Sequence, residues 1–220
     1  SEIVQPTLLN EQRRMHSTIA DFPNKHFYKS RLVNAIDDSS LYPVYEFKWP
    51  NPDCRVCFID LVAQDVPEKH TGYSACNPHE AECVAKVVRG VLERGFAAHA
   101  LGVLTPYRAQ IIEIRRALRN YGCDRTAICV DTVDGFQGME KELIIFSSVR
   151  HNEKADIGFL ADDRRMNVML TRAKRGVIVV GNSGTLLNSG TTWTKWCEWA
   201  YDQNAATNMA QLAVRENQDA

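Results

Sequence analysis

A chain of 220 residues, 45% hydrophobic and 24% charged, can bury one substantial core, and a single α/β domain suits this length better than two. Its formal charge of -1 excludes the global basic signature of an autonomous nucleic-acid binder, so any contact with a polyanion has to be local or shared with other domains. No apolar run approaches the roughly 20 residues of a membrane-spanning helix, and the polar N-terminus does not read as a signal peptide; an intracellular protein, cytoplasmic or nuclear and without a membrane partner, is expected.

Residues 37–52 are rich in Asp, Ser, Tyr and Pro without a sustained period, and read as a surface excursion with at most one hairpin strand. A buried strand follows at 56–61, then a polar loop at 63–74 holding Pro67 and Gly72. Asn77 and Pro78 open a helix that sets Val84, Val87, Val88 and Val91 on one face, turns its charged residues to water and ends near Gly95. A strand at 100–104 runs into a helix from Pro106, with Ile111, Ile114 and Leu118 as its core stripe and Arg115, Arg116 and Arg119 outside. Asn120-Tyr121-Gly122 closes it.

Strands are predicted at 127–130 and 142–149. The second of these is too short and too apolar for a solvent-facing helix and suits a strand buried on both faces. Met166, Met169 and Leu170 fall at i, i+3 and i+4 as a helical stripe, with Arg165 and Arg172 seven apart on one face, and a strand follows at 176–181. Trp193, Trp196 and Ala200 lie at i, i+3 and i+7. Such a stripe can stack bases, but packing of a terminal helix is the favoured reading, and the polar tail after Gln203 is expected to fray. Strands alternating with helices imply parallel crossovers and a sheet covered on both faces.

Seven cysteines, an odd number without a secretory signal, favour free thiols. Cys54 and Cys57 have metal-ligand spacing, with His70, Cys76, His79 and Cys83 downstream. Cys57, however, sits in an apolar run that reads as a buried strand, where cysteine is usually a small hydrophobe. No metal site is assigned.

Four segments carry chemistry when they are taken together. They are Gln12-Arg13-Arg14-Met15-His16 with Phe22-Pro23 and Phe27-Tyr28; Gly102-Val103-Leu104-Thr105-Pro106-Tyr107-Arg108; Val130-Asp131-Thr132-Val133-Asp134-Gly135-Phe136-Gln137-Gly138-Met139-Glu140; and Arg164-Arg165-Met166-Asn167-Val168-Met169-Leu170-Thr171-Arg172-Ala173-Lys174-Arg175. Singly, the glycines read as ordinary turns and the arginines as a solvated helix face. In this order, from about residue 9 to residue 182, the segments resemble motifs of superfamily 1 helicases, in particular the group that drives nonsense-mediated mRNA decay, with senataxin close by.

That resemblance implies an α/β, RecA-like domain of the P-loop NTPase type, mostly parallel with helices on both faces. It lacks a phosphate loop, since no Gly-x-x-x-x-Gly-Lys-[Ser/Thr] sequence is present. Residues 1–220 would be the second, C-terminal RecA-like domain, with 183–220 a C-terminal helical extension. In the family's terms Arg14 and Arg172 are arginine fingers, while Arg13, Gly138 and Glu140 meet the ATP. Thr105, Pro106, Tyr107, Arg108, Thr132 and Val133 face the nucleic-acid strand.

The implied function is the C-terminal motor half of an ATP-dependent RNA or DNA helicase translocating on single strands. ATP and Mg2+ would be bound mainly by an N-terminal RecA-like domain of the same protein, and the isolated chain would be inactive. Single-stranded RNA or DNA, that N-terminal domain and proteins of an RNA surveillance complex are the implied partners. The chain departs from the family at Arg13, where relatives place a tyrosine against the base; a guanidinium can stack in its place or turn to solvent. A second reading is a catalytically silent helicase-like scaffold for RNA binding or protein docking.

Overall fold

The computed structural model describes residues 9–123 and 127–217. Six parallel strands form the central sheet: β3 (Val56–Asp60), β6 (Leu101–Thr105), β7 (Cys129–Thr132), β8 (Lys141–Ser147), β9 (Ala173–Gly181) and β10 (Ala206–Thr207), in the order β10-β3-β9-β8-β6-β7. Two short pairs lie beside it, β1 (Glu11–Gln12) with β2 (Val33–Asn34) and the antiparallel hairpin β4 (Lys69–Thr71) with β5 (Ser74–Cys76). The architecture is the mostly parallel α/β class that the alternation of strands and helices implies.

Side chains along a strand alternate between faces, and here both faces are apolar. One carries Val56, Phe58, Leu104, Ile144, Phe146, Val177 and Val179 under helices α1 (Ser17–Phe27), α4 (Asp163–Leu170) and α6 (Thr192–Asp202). The other carries Cys57, Ile59, Leu101, Val103, Leu143, Ile145, Ile178 and Val180 under α2 (Pro78–Glu93) and α3 (Arg108–Asn120). Each such large apolar side chain, fully buried, contributes roughly 1.5–3 kcal/mol relative to exposure. Trp193, Trp196 and Ala200 of α6 are all buried in the first layer, so the aromatic stripe packs the domain. Cys54 and Cys57 belong to opposite layers and cannot share one ion. Among the described residues no two cysteines are joined in a disulfide; six are buried and Cys129 is half-buried.

Several elements differ from the sequence reading. Residues 37–52 form no strand but a 3₁₀ turn, Asp38–Ser40, after which Val44, Phe47 and Trp49 enter the second layer. Trp49 Nε1 donates to the Val44 carbonyl at 2.9 Å, satisfying the one polar atom this aromatic brings inside. The expected loop at 63–74 contains most of the β4–β5 hairpin. Strand β7 starts two residues later than predicted, helix α3 starts at Arg108 rather than Pro106, and β9 starts three residues earlier than predicted. Helix α4 ends at Leu170 with Thr171 as its C-cap, so Arg172 does not share a helix face with Arg165. The tail beyond Gln203 supplies β10, paired to β3 with Ala206 opposite Phe58, and helix α7 (Met209–Asn217), whose Leu212 is buried. Backbone pairing at an edge needs only two residues, which polar composition conceals.

The largest departure is on α2. Asn77 caps it as expected, its side chain accepting the Glu80 N–H at 3.0 Å, and Val84, Val87, Val88 and Val91 are buried. Glu80, however, does not face water: only 1% of it is exposed. Its carboxyl accepts the Ser147 hydroxyl at 2.8 Å and the Val149 N–H at 2.8 and 3.0 Å. Gln110 Nε2 donates to Ser147 Oγ at 2.9 Å, and Gln110 Oε1 accepts the Asn77 N–H at 2.8 Å. A bonded chain of polar groups therefore ties the start of α2 and the first turn of α3 to the end of β8.

The backbone it holds is strained. Val149 has φ 74, a left-handed conformation costly for a β-branched residue, and its side chain is fully buried. The reversal sends the buried Arg150 into ion pairs with Glu68 at 3.3 Å and Asp156 at 2.9 Å.

Burial raises the Glu80 carboxyl from 4.5 to about 8, its hydrogen bonds only partly opposing the shift. A folded value above the unfolded one means that the native state holds the extra proton between those limits, so this group's contribution to stability declines as pH rises from about 4.5 to about 8. Glu80→Gln keeps an acceptor and removes the charge. Melting temperatures at pH 5.5 and pH 9 should show Glu80→Gln gaining on the parent chain at the higher pH; an equal gap at both would mean that Glu80 is ionised in the fold.

Candidate functional site

The N-terminal motif forms around one glutamine. Gln12 lies in β1, and its amide Nε2 donates to the Met15 carbonyl at 2.8 Å and to Asn34 Oδ1 at 2.7 Å. Its Oε1 accepts the N–H groups of Arg14 at 3.0 Å and Met15 at 2.8 Å. The turn from 12 to 15 is thereby fixed, with Met15 in the core and Arg14 leaving it at a set angle. His16 continues the motif as the N-cap of α1 and donates its N–H to the Lys174 carbonyl at 3.0 Å.

Arg14 meets the two later motifs at once. Its Nε lies 2.6 Å from Glu140 Oε2, and its Nη1 donates to the Thr171 carbonyl at 2.9 Å. Lys174 Nζ holds the other oxygen of Glu140 at 2.9 Å. Arg172, just beyond the α4 cap, donates from Nε to the Val168 carbonyl at 3.0 Å and from Nη2 to Thr171 Oγ1 at 3.1 Å. The Lys141 N–H donates to the Arg172 carbonyl at 3.1 Å, which stitches the start of β8 to the segment carrying Arg172. Arg14 thus bonds residues 126 and 157 positions away in sequence on one surface.

The electrostatics match this geometry. Hydrogen bonds from Lys174 and then Arg14 hold the Glu140 carboxyl below its ordinary range, and Glu140 in turn raises Lys174. Burial, and after it the charge of Arg14, lowers the Arg172 guanidinium, although arginine stays protonated at any working pH. Two guanidiniums and an ammonium stand against two carboxylates, Glu140 and Glu142, the second 3.7 Å from Lys174 Nζ, which leaves one surplus positive charge, the complement of a polyphosphate. Gly138 sits in the preceding turn at φ 87, with open space where a side chain would begin, so glycine is required there by backbone conformation. Phe136 anchors that turn in the core.

Arg13 points the other way. It is exposed and pairs with Glu11 at 2.7 Å, away from the Arg14 cluster. Arg165 spans Asp134, with Nε to Oδ1 and Nη2 to Oδ2 both at 3.0 Å, and so braces the glycine turn against α4. Asn167 Nδ2 donates to the Tyr28 hydroxyl at 2.9 Å, joining α4 to the end of α1.

The residues assigned to strand contact lie at the opposite, C-terminal edge of the sheet. Thr105 and Val133 are buried, Pro106 and Thr132 are half-buried, and Arg108 is exposed. Thr105 caps no helix: Tyr107 is the N-cap residue of α3, and the Val133 N–H donates to the Thr105 carbonyl at 3.2 Å. Thr132 Oγ1 accepts the Gly135 N–H at 3.0 Å. Tyr107 packs against Ala75 and Val149, with its hydroxyl accepting the Phe159 N–H at 3.3 Å. These side chains build the edge from inside, and the exposed surface there belongs largely to others.

Comparison with known proteins follows this geometry. A family model described as an AAA domain matches residues 1–184. Over 188 residues the chain is 37% identical to the regulator of nonsense transcripts 1 homolog of Drosophila melanogaster, covering 83% of this chain and 16% of that protein. The chain belongs to this superfamily 1 helicase group. It is also 38% identical over 186 residues to the ATP-dependent helicase upf1 of Schizosaccharomyces pombe, covering 82% of this chain and 20% of that one. With the DNA polymerase alpha-associated DNA helicase A of the same yeast it shares 36% identity over 209 residues, 90% of this chain and 31% of that one. Among solved structures, the C-terminal domain of a possible DNA helicase from Lactobacillus plantarum is a loose likeness, 14% identical over 78% of this chain and 88% of that chain with a TM-score of 0.43. The chain therefore spans less than a third of the length of these helicase relatives.

Three paired ions, Lys174 in the cluster and Glu68 with Arg150 at the opposite end of the sheet, were not singled out in the sequence. Lys174 stands in the last motif, but its distance from Glu140 is set only when β9 pairs with β8. Glu68 and Arg150 come from a polar loop and a strand end, and no periodicity marks either.

Gln12 uses all four of its amide contacts locally, so its loss should unfasten the turn. Gln12→Ala leaves the N–H groups of Arg14 and Met15 without their partner, at a cost of about 1–3 kcal/mol for each buried donor. Chemical denaturation should register the loss, and an unchanged midpoint would mean that the turn holds without it.

Proposed function

We propose that this chain is the C-terminal motor half of an ATP-dependent helicase that moves along single-stranded nucleic acid. The observation that supports it is the meeting of Arg14, Glu140, Arg172 and Lys174 from three separate segments at one end of β8 and β9. In this reading Arg14 and Arg172 face the terminal phosphate and offset the charge that grows on it as its bond to the leaving group breaks. Glu140 accepts a hydrogen bond from the sugar of ATP, and Lys174 keeps that carboxylate ionised. Gln12 is a positioning residue that acts through Arg14.

The phosphate cradle and the Mg2+ ligands belong, in this reading, to a second RecA-like domain facing the cluster. Among the described residues no group of three or more His, Cys, Asp or Glu stands close enough to hold a metal. ATP drawn between the two domains closes them, and loss of the terminal phosphate lets them part, so that the grip on a nucleic-acid strand alternates. The strand runs over the C-terminal edge of the sheet, held by phosphate contacts that carry no sequence information.

Steady-state ATPase measurements on the complete protein test this. Arg14→Ala and Arg172→Ala should each lower kcat about a thousandfold, as loss of an arginine finger does, with a much smaller effect on nucleotide affinity; an unchanged kcat removes that residue from catalysis. Arg13→Ala should leave nucleotide affinity unaltered because Arg13 is paired with Glu11, and a measurable weakening would return Arg13 to the base.

The 220-residue chain by itself should release no phosphate from ATP above background. Turnover that disappears in Arg172→Ala would place a complete catalytic site within this chain and end the two-domain reading.

A further inference from the structure

Strands β6 and β7 are parallel neighbours, so helix α3 between them carries the chain from the strand-facing rim back to the opposite rim. It buries Gln110, Ile114, Ala117 and Leu118. The face turned away from these is exposed at Arg108, Ile112, Arg115 and Arg119. Their spacing of i, i+4, i+7 and i+11 makes one stripe along the helix, about 16 Å from end to end at helical rise.

The stripe is not an ordinary solvated face. Its neighbour α2 exposes Glu82, Lys86, Arg89 and Glu93, balanced in sign, with Arg89 and Glu93 paired at 2.6 Å. On α3 the single acid, Glu113, is taken by Arg116. Arg108, Arg115 and Arg119 have no carboxylate partner among the described residues. Arg115 and Arg119 are like charges at i and i+4, an arrangement that weakens a helix. Arg108 stands at the positive end of the helix dipole, with no acid in the first turn to offset it. A chain of formal charge -1 thus gathers unbalanced cations on one helix and leaves an isoleucine among them 67% exposed.

The edge strand beside α3 narrows what can bind there. The Val130 carbonyl accepts Arg115 Nη2 at 3.1 Å, and the Thr132 N–H donates to Asp131 Oδ1 at 2.6 Å. These backbone groups of β7 are already bonded and open to no added strand, so a partner has to be read by side chains. A nucleic-acid strand lying along the rim meets α3 at Arg108 and leaves the rest of the helix, which runs away from that rim. Phosphates also have no use for Ile112 in the middle of the row. Carboxylates on either side of one apolar side chain match both features.

We propose that the exposed face of α3 docks an acidic segment of a protein partner, with one apolar side chain seated on Ile112 between carboxylates that meet Arg108, Arg115 and Arg119. Exposed ion pairs set encounter and orientation more than affinity, and the apolar contact at Ile112 holds the segment once it arrives. The surface lies outside the Arg14 cluster and depends on neither the nucleotide nor the strand reading.

The test is fluorescence anisotropy on the 220-residue chain at low salt with three labelled probes. Two are peptides of about 16 residues, long enough to span the stripe, built from aspartate and glutamate with a central leucine in one and a central serine in the other. The third is a single-stranded oligouridylate of about 15 nucleotides. The leucine peptide should bind, and the serine peptide about fivefold more weakly. Arg115→Glu and Arg119→Glu should each weaken the leucine peptide about tenfold, and Ile112→Ser about fivefold. Lys154→Glu, the same change of charge at an exposed lysine after β8, should leave it unaltered, and oligouridylate binding should be the same in all four variants. The Arg119 side chain makes no hydrogen bond or ion pair among the described residues, so its variant reports on the surface even where Arg115→Glu loosens β7. Equal weakening by Lys154→Glu, equal binding of the two peptides, or a parent chain that binds neither would overturn the docking face. A loss on the oligouridylate as large as that on the leucine peptide would overturn it too, and would give the stripe to nucleic acid.

Discussion

Strands β3, β6, β8 and β9 are covered on both faces, so the side chains of their central stretches are shut off from water. Burying a polar group there would cost a hydrogen bond or a charge, and the strands carry Val, Ile, Leu and Phe instead. Chemistry is pushed to the two rims of the sheet. At one rim, Lys141 of β8 lies opposite Ala173 of β9, and Glu140, Arg172 and Lys174 flank that pair. At the other, β6 and β8 end in Thr105 and Ser147, and the segments beyond them carry Tyr107, Val149 and Arg150. The candidate nucleotide and strand surfaces are thus separated by the length of β8, about 20 Å for seven residues at strand rise.

The rims differ in how they hold charge. The rim at the start of β8 keeps its ions near solvent, where each pair contributes modestly. Close spacing matters more there, because Glu140 answers both Arg14 and Lys174 while Glu142 shares Lys174. The other rim buries its ions. Arg150 with Glu68 is taken out of water, and burial pushes the Glu80 carboxyl up to about 8. Buried pairs are weak stabilisers but severe when broken, which suits a segment that has to hold a strained Val149 in one conformation. Strain at that position is maintained by the carboxyl of Glu80 and the packing of Tyr107 around it.

Much of this was legible in the sequence, for reasons that differ between elements. Helix α2 was fixed by Asn77, Pro78 and a valine stripe, and β8 by an unbroken apolar run, because both signals are local. The convergence of the four motifs was readable only through family resemblance, since residues such as Arg14 and Glu140 meet through tertiary structure. Strand β10 was hidden because it is only two residues, Ala206–Thr207, set in a polar tail. Glu80 looked like any first-turn acid, and only the positions of Ser147 and Val149 show that it faces inward.

The thiols offer a view of the core that its packing alone does not. Cys83 of α2 sits in one layer and Cys197 of α6 in the other, and burial pushes the first up to about 12 and raises the second as well. A thiol so placed has neither the ionisation nor the access needed to react with an alkylating reagent. Each becomes reactive only when its own layer opens, which makes the pair two independent clocks set on opposite sides of the sheet. Their rates would tell whether the layers come apart together, as one cooperative unit, or whether one side of the domain breathes while the other stays closed.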